Sequence, residues 1–133
     1  LREIDDSHII FFEPTVSDLV IECGFHEGPG GPAYNDRQVY SYHVYCAPDN
    51  YTGDPTLLKE CELVDDLYFF SRTHDMTHMK VGGMMTEFGA MEGNDIGLAD
   101  LNYILGKADG FIQGWAYWQF KSFNDITTQS TGE

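Results

Sequence analysis

The stretch Gly82-Gly83-Met84-Met85-Thr86-Glu87-Phe88-Gly89-Ala90 is an apolar run that reaches one carboxylate and then breaks at a glycine. This pattern is typical of a buried parallel strand that carries an acid to the rim of a barrel. A carboxylate at such a rim can attack the anomeric carbon of a sugar. A strand that ends in an ordinary exposed glutamate would have the same pattern, so Glu87 alone does not decide between the two.

Strands and helices are predicted to alternate along the rest of the chain. The segments with β-forming composition are 8–13, 38–46, 81–88 and 111–119, and the helical segments run from about 56 to 80 and from 95 to 109. Such alternation predicts an α/β fold with a parallel sheet and helices outside it. Because a complete (β/α)8 TIM barrel needs about 250 residues, the 133-residue chain is predicted to be the C-terminal half of one, incomplete as given.

The charge and hydropathy of the chain exclude several classes of partner. There are 22 acidic and 7 basic residues, which give a net charge of −15. This charge repels phosphate backbones and anionic lipid headgroups, so no nucleic-acid partner is expected, whereas a neutral carbohydrate is compatible with it. No run of about 18 apolar residues is present, so no membrane span is predicted. The chain begins without methionine or a signal-peptide core, so a fragment or a processed form is expected.

The predicted strand ends carry the side chains of a sugar site. They are Glu13, His43, Tyr45, Glu87 and Trp118, and the carboxyl ends of parallel strands form the active-site face of a barrel. Trp118 can form the floor on which a pyranose stacks, Tyr45 can donate a hydrogen bond to Glu87, and His43 can bond the acid or a sugar hydroxyl. Each aromatic residue alone is equally typical of packing, but the set together favours a site.

Four segments resemble the second half of the catalytic domain of glycoside hydrolase family 5, and most of all its endoglycoceramidase branch. These are Ile10-Phe11-Phe12-Glu13-Pro14, Tyr42-His43-Val44-Tyr45-Cys46, Met85-Thr86-Glu87-Phe88-Gly89-Ala90 and Gly114-Trp115-Ala116-Tyr117-Trp118-Gln119-Phe120-Lys121. The glycine-rich loop 24–31 adds to the likeness. The resemblance implies that residues 1–133 are about strands 5–8 of one partial family 5 domain, without its N-terminal half.

The resemblance also implies a retaining mechanism with two glutamates. Glu87 matches the nucleophile, His43 and Tyr45 match a pair on the sixth strand, and Trp118 matches the aromatic residue beneath the cleaved sugar. The acid/base glutamate should lie in an Asn-Glu-Pro motif, which this chain lacks. Glu13-Pro14 imitates it, but Phe12 precedes the glutamate, so Glu13 is interpreted as a substrate-binding rim residue. The chain alone is therefore expected to be inactive.

The implied reaction is cleavage of the β-linkage between an oligosaccharide and ceramide. The partner is then a glycosphingolipid or oligosaccharide, with peripheral contact to lipid. Two carboxyls suffice for this chemistry, so no metal or organic cofactor is expected.

Three alternatives stay open. One is another family 5 activity, such as a β-glucanase, a glucosylceramidase or a β-glucosidase. A second is a catalytically silent relative that binds carbohydrate or lipid. The third is a zinc site on His74 and His78, which lie four residues apart around Asp75, although a solvated helix face explains this spacing more simply.

The cysteines and one sequon bear on the compartment. Cys46 and Cys61 flank a loop before a helix, and either a disulfide between them or three reduced thiols including Cys23 fits the sequence. Asn50-Tyr51-Thr52 is a glycosylation sequon, which favours a secreted, extracellular or lysosome-like location.

Side-chain periodicity predicts the faces of the second strand and of the helices. In the strand, one face is predicted to carry Ser41, His43 and Tyr45, and the other Tyr40, Tyr42 and Val44. On the helices, Leu98 is expected on the buried side, whereas Asp65 and its neighbour Asp66 are expected to be surface residues.

Overall fold

The fold is a four-stranded parallel sheet with two long helices. The computed structural model describes residues 1–15, 24–46, 55–91 and 93–119. Its elements are β1 (Ile10–Phe12), a 3₁₀ helix (Pro32–Arg37), β2 (Gln38–Val44), α1 (Pro55–Met79), β3 (Gly82–Gly89), α2 (Asp95–Gly110) and β4 (Gly114–Trp118). The predicted order of strands and helices is therefore confirmed. Among these described residues, no helix is long and apolar enough to cross a membrane.

The strands lie in the sheet in chain order, β1-β2-β3-β4, and every neighbouring pair is parallel. All their carboxyl ends therefore meet at one edge, where the site residues were expected. The β4 strand is exposed along its whole length. It begins three residues later than predicted, because the Phe111 N–H still bonds the Lys107 carbonyl and closes the end of α2.

The core lies between the sheet and the helices. Tyr40, Tyr42 and Val44 of β2 are buried there, as the predicted alternation of β2 requires. They belong to one cluster with residues of the helices and of β3, which include Phe69, Met76, Met79, Met85, Phe88, Ile104 and Ala108. The opposite face of β2 is thereby left for Ser41 and His43.

Helix α2 begins as predicted but buries a different face. Asn94 is its N-cap, and its side-chain oxygen accepts a hydrogen bond of 2.9 Å from the Gly97 N–H. Leu98, expected in the core, is 50% exposed, and Asp100 is fully buried instead. The buried positions follow the helical spacing 97, 100, 104 and 108, so the apolar Leu98 falls off the packed side.

Asp100 packs against a second buried acid. Asp65 of α1 is also fully buried, so the expectation that it lies on the surface was wrong. Burial, and then the adjacent Asp100 carboxyl, raises the pKa of Asp65 to about 8. Asp66, in contrast, is partly exposed and pairs with Lys107.

A disulfide joins the end of β2 to α1. Cys46 and Cys61 are bonded, with their Cα atoms 5.4 Å apart and a separation of 15 positions in the sequence. This contradicts the alternative of three reduced thiols. Cys23 and the sequon at Asn50 lie outside the described residues.

Candidate active site

Four of the five predicted site residues lie at the carboxyl ends of β1, β2 and β3. Glu13 follows β1, His43 lies in β2 with Tyr45 just beyond it, and Glu87 lies near the end of β3. The two glutamates are therefore on the strands that flank β2, with His43 between them.

Glu87 is contacted by His43 of β2 and by Tyr45, which lies just beyond that strand. The Tyr45 hydroxyl donates a hydrogen bond of 3.0 Å to Glu87 Oε2. His43 Nδ1 is 3.5 Å from the same oxygen, and His43 Nε2 is 3.5 Å from Glu13 Oε2. The Glu87 side chain keeps 34% of its surface exposed, so its carboxylate is held in place and still reachable from solvent.

A β-bulge in β3 turns Glu87 toward the site. In the register with β2, Tyr42 pairs with Met85 but His43 pairs with Glu87, so Thr86 is an extra residue. Strict alternation would put Glu87 on the same face as the buried Met85. With the bulge, Met85 and Phe88 are both buried in the core, and Glu87 faces His43 instead.

Two hydroxyl side chains complete the polar network, and the sequence analysis did not identify them as site residues. Ser41 Oγ donates to Glu13 Oε2 at 3.3 Å and is 2.5 Å from Thr86 Oγ1. Ser41 shares the β2 face of His43, so alternation alone could have identified it. Thr86 could not be found this way, because its orientation depends on the bulge.

Trp118 ends β4 next to the last residues of β3. Its carbonyl accepts a hydrogen bond of 3.0 Å from the Ala90 N–H, and its peptide bond to Gln119 is cis. Gly89 has φ of +137°, and a Cβ there would collide with the Trp118 carbonyl oxygen. The Trp118 side chain is 52% exposed and is thus available to a ligand.

The helix that carries His74 and His78 does not have the geometry of a zinc-protease site. Both histidines are exposed, whereas Asp75 between them is buried, accepts a hydrogen bond of 2.8 Å from the Tyr40 hydroxyl and pairs with Arg72. Asp75 therefore points toward the sheet rather than toward a shared ion. Within the described segments, no group of three or more potential ligands is suited to hold a metal.

Comparison with known proteins gives relatives along nearly the whole chain. It is 34% identical over 126 residues to an endoglycoceramidase of Hydra vulgaris and 31% identical over 123 residues to one of Cyanea nozakii. These alignments cover 95% and 92% of the chain. The chain is homologous to part of the endoglycoceramidases. It spans about a fifth of the length of these relatives, 21% and 22%, and no family model matches it.

Solved structures of an endoglycoceramidase share the fold. Endo-glycoceramidase II from Rhodococcus sp. superimposes with TM-scores of 0.74 as a lactosyl-enzyme intermediate and 0.76 in an iminocyclitol complex, at 17% identity. The match covers 91% of this chain and 27–28% of that enzyme. The expected partial TIM barrel is thus confirmed.

Proposed function

We propose that the full-length protein is a retaining glycoside hydrolase of family 5 that cleaves the bond between oligosaccharide and ceramide in glycosphingolipids. One observation carries this proposal. In a chain homologous to endoglycoceramidases, Glu87 lies at the carboxyl edge of a parallel sheet, and Tyr45 donates to its carboxylate at 3.0 Å. That is the position of a nucleophile in a TIM barrel.

In this mechanism Glu87 attacks the anomeric carbon of the sugar joined to ceramide. The glycosidic C–O bond breaks, and a second glutamate, which the family resemblance places outside these 133 residues, protonates the departing ceramide oxygen. Water then attacks the glycosyl-enzyme ester, gives its proton to that second glutamate and releases the oligosaccharide with its anomeric configuration retained. The lactosyl-enzyme intermediate of the Rhodococcus enzyme supports this route.

The other site residues bind the sugar and hold the nucleophile. The Tyr45 hydroxyl, by donating to Glu87, keeps one carboxylate oxygen fixed. The half-exposed indole of Trp118 offers a face on which the sugar ring stacks. Without the second carboxyl, the 133-residue chain alone turns over no substrate.

The test is hydrolysis of a glycosphingolipid by the full-length protein and two variants. Glu87→Gln keeps the size of the side chain but removes the nucleophile, and Glu60→Gln makes the same change on an exposed position of α1. With lactosylceramide, the wild type and Glu60→Gln are expected to release intact lactose and ceramide, whereas Glu87→Gln releases neither. Activity in Glu87→Gln near that of the wild type would contradict the mechanism.

The products also separate the alternatives. Cleavage of a β-glucan but not of lactosylceramide would indicate a β-glucanase. Release of glucose from glucosylceramide or simple glucosides, but no intact disaccharide from lactosylceramide, would indicate a glucosylceramidase or β-glucosidase. Binding of the glycolipid by the wild type without any turnover would indicate a catalytically silent relative.

We also propose that the protein works in an oxidising compartment, either secreted or in a lysosome-like lumen. The Cys46–Cys61 disulfide supports this, because disulfides persist in such compartments and are rare in the reducing cytosol. The sequon at Asn50 agrees with it.

A further inference from the structure

Glu13 lies on the opposite side of the His43 ring from Glu87. Its Oε2 is 3.5 Å from His43 Nε2, and Glu87 Oε2 is 3.5 Å from His43 Nδ1. The ring thus has one carboxylate oxygen at each nitrogen. A neutral imidazole can donate from only one of these nitrogens, whereas the cation donates from both. The two glutamates are therefore both placed to interact with the same imidazole ring.

A second polar chain holds Glu13 in this position. Ser41 Oγ donates to the same Glu13 oxygen at 3.3 Å, and the Ser41 hydroxyl also contacts Thr86, the extra residue in the bulge. Ser41 is nearly fully buried, so this contact connects Glu13 to β3 through the interior of the sheet. Glu13 is consequently linked to the nucleophile strand by two routes, one through His43 and one through Ser41.

We propose that Glu13 is a positioning residue that acts on Glu87 through His43, and not primarily a ligand of the sugar. By binding Nε2, Glu13 fixes the orientation of the imidazole ring, so that Nδ1 is the nitrogen that faces Glu87. Second partners of histidine have this effect at other sites. This inference rests on the proposed function in so far as Glu87 is the nucleophile. The contact between Glu13 and His43 can be tested without any activity.

The first test is NMR of the full-length protein with ¹⁵N in its histidine rings. The His43 signals are identified by their loss in His43→Gln. In Glu13→Gln, which keeps the shape and one acceptor oxygen but removes the charge, the His43 ring nitrogens are expected to shift. Glu60→Gln is the matched control and should leave them unchanged. His43 signals that are identical in the wild type and Glu13→Gln would overturn the proposal.

The second test is a double-mutant cycle on hydrolysis. Glu13→Ala is expected to lower kcat about tenfold or more while KM changes little, since the lost contact aligns the nucleophile rather than the sugar. In a His43→Ala background the same change should have about a twofold effect or less, because the route is already broken. Glu13→Gln, which is less disruptive to folding, should lie between the wild type and Glu13→Ala.

The outcomes separate this inference from the proposed function. A Glu13 variant with raised KM and unchanged kcat shows that Glu13 binds substrate directly, which overturns the positioning role. The same conclusion follows if Glu13→Ala lowers kcat as much in the His43→Ala background as in the wild type. A wild-type protein without hydrolase activity overturns the proposed function instead, and the NMR result then decides the contact between Glu13 and His43 by itself.

Discussion

Glu87 faces His43 because β3 contains one extra residue at Thr86. The sequence indicated that Glu87 lies at a strand end, and it gave the face of β2 on which His43 and Tyr45 lie. It did not indicate the bulge, because an insertion of one residue leaves no mark in a pattern of alternating side chains. A strictly regular strand would have turned the carboxylate into the core beside Met85.

The Tyr45 hydroxyl donates a hydrogen bond of 3.0 Å to Glu87. Tyr45→Phe removes this donor and keeps the ring. A hydrogen bond to a charged group contributes about 1.5–3 kcal/mol, so kcat/KM of the full-length enzyme is expected to fall roughly 10- to 100-fold. Steady-state kinetics on a glycosphingolipid checks this.

The matched control is Tyr103→Phe. Tyr103 also donates to a carboxylate, Asp66, at 2.9 Å, but on the outer helices. The kcat/KM of Tyr103→Phe should stay at the wild-type level. Equal losses in both variants would show that the effect is general to the fold and not specific to Glu87.

At the scale of elements, the close approach of β3 and β4 depends on Gly89. Its φ of +137° disfavours a side chain, and an added Cβ would collide with the Trp118 carbonyl oxygen. Gly89→Ala is therefore expected to destabilise the full-length protein by about 2–5 kcal/mol through backbone strain and the contact. Urea unfolding measures this change.

Gly106 of α2 provides the contrast, because a Cβ there would meet no atom within 4 Å. Gly106→Ala should be neutral or stabilise the protein by up to about 1 kcal/mol, since alanine is the better helix former. Equal stability of Gly89→Ala and Gly106→Ala would contradict the close packing of Gly89 against Trp118.

The packing of α1 on α2 is predicted to depend on pH. The pKa of Asp65 is raised to about 8, first by burial and then by Asp100. The native state therefore binds a proton at Asp65 that the unfolded chain releases near pH 4. Between about pH 4 and pH 8 the free energy of unfolding therefore falls as the pH rises, by at most about 1.4 kcal/mol per pH unit.

Asp65→Asn should remove this dependence, because an amide donates to Asp100 at any pH. The difference in Tm between pH 5 and pH 8 is expected to be smaller in Asp65→Asn than in the wild type. Asp109→Asn, at an exposed position of the same helix pair, serves as the control. An unchanged difference in Asp65→Asn would contradict the buried, protonated state of Asp65.

These helices also show where sequence reasoning failed. Hydrophobic spacing predicted the first and last residues of both helices to within one position. It assigned Asp65 to the surface and Leu98 to the core because residue type was taken as a guide to burial. Two acids that share a proton can be buried together, and only the packing of α1 on α2 shows that these two meet.

At the scale of the whole molecule, the disulfide connects the site to the outer helices. Cys46 directly follows Tyr45, and its partner Cys61 is buried in α1. Closing a loop of this length contributes about 3 kcal/mol. Cys46→Ala/Cys61→Ala should lower the free energy of unfolding by about that amount, and the wild type in reductant should behave in the same way.

Peptide mapping of the unreduced protein checks the bond itself. A cross-linked pair of peptides that contains Cys46 and Cys61 is expected, and reduction should separate them. Recovery of both cysteines as free thiols from protein freshly purified from its native source would contradict the bond and the proposed oxidising compartment.

In the proposed mechanism, Glu87 becomes covalently attached to the sugar. The most direct measurement is to treat the full-length protein with a 2-deoxy-2-fluoro lactoside that carries a good leaving group, and to identify the labelled peptide by mass spectrometry. We expect one added disaccharide on the peptide that contains Glu87, and none in Glu87→Gln. A label on another residue, or hydrolysis that proceeds without any trapped ester, would contradict it.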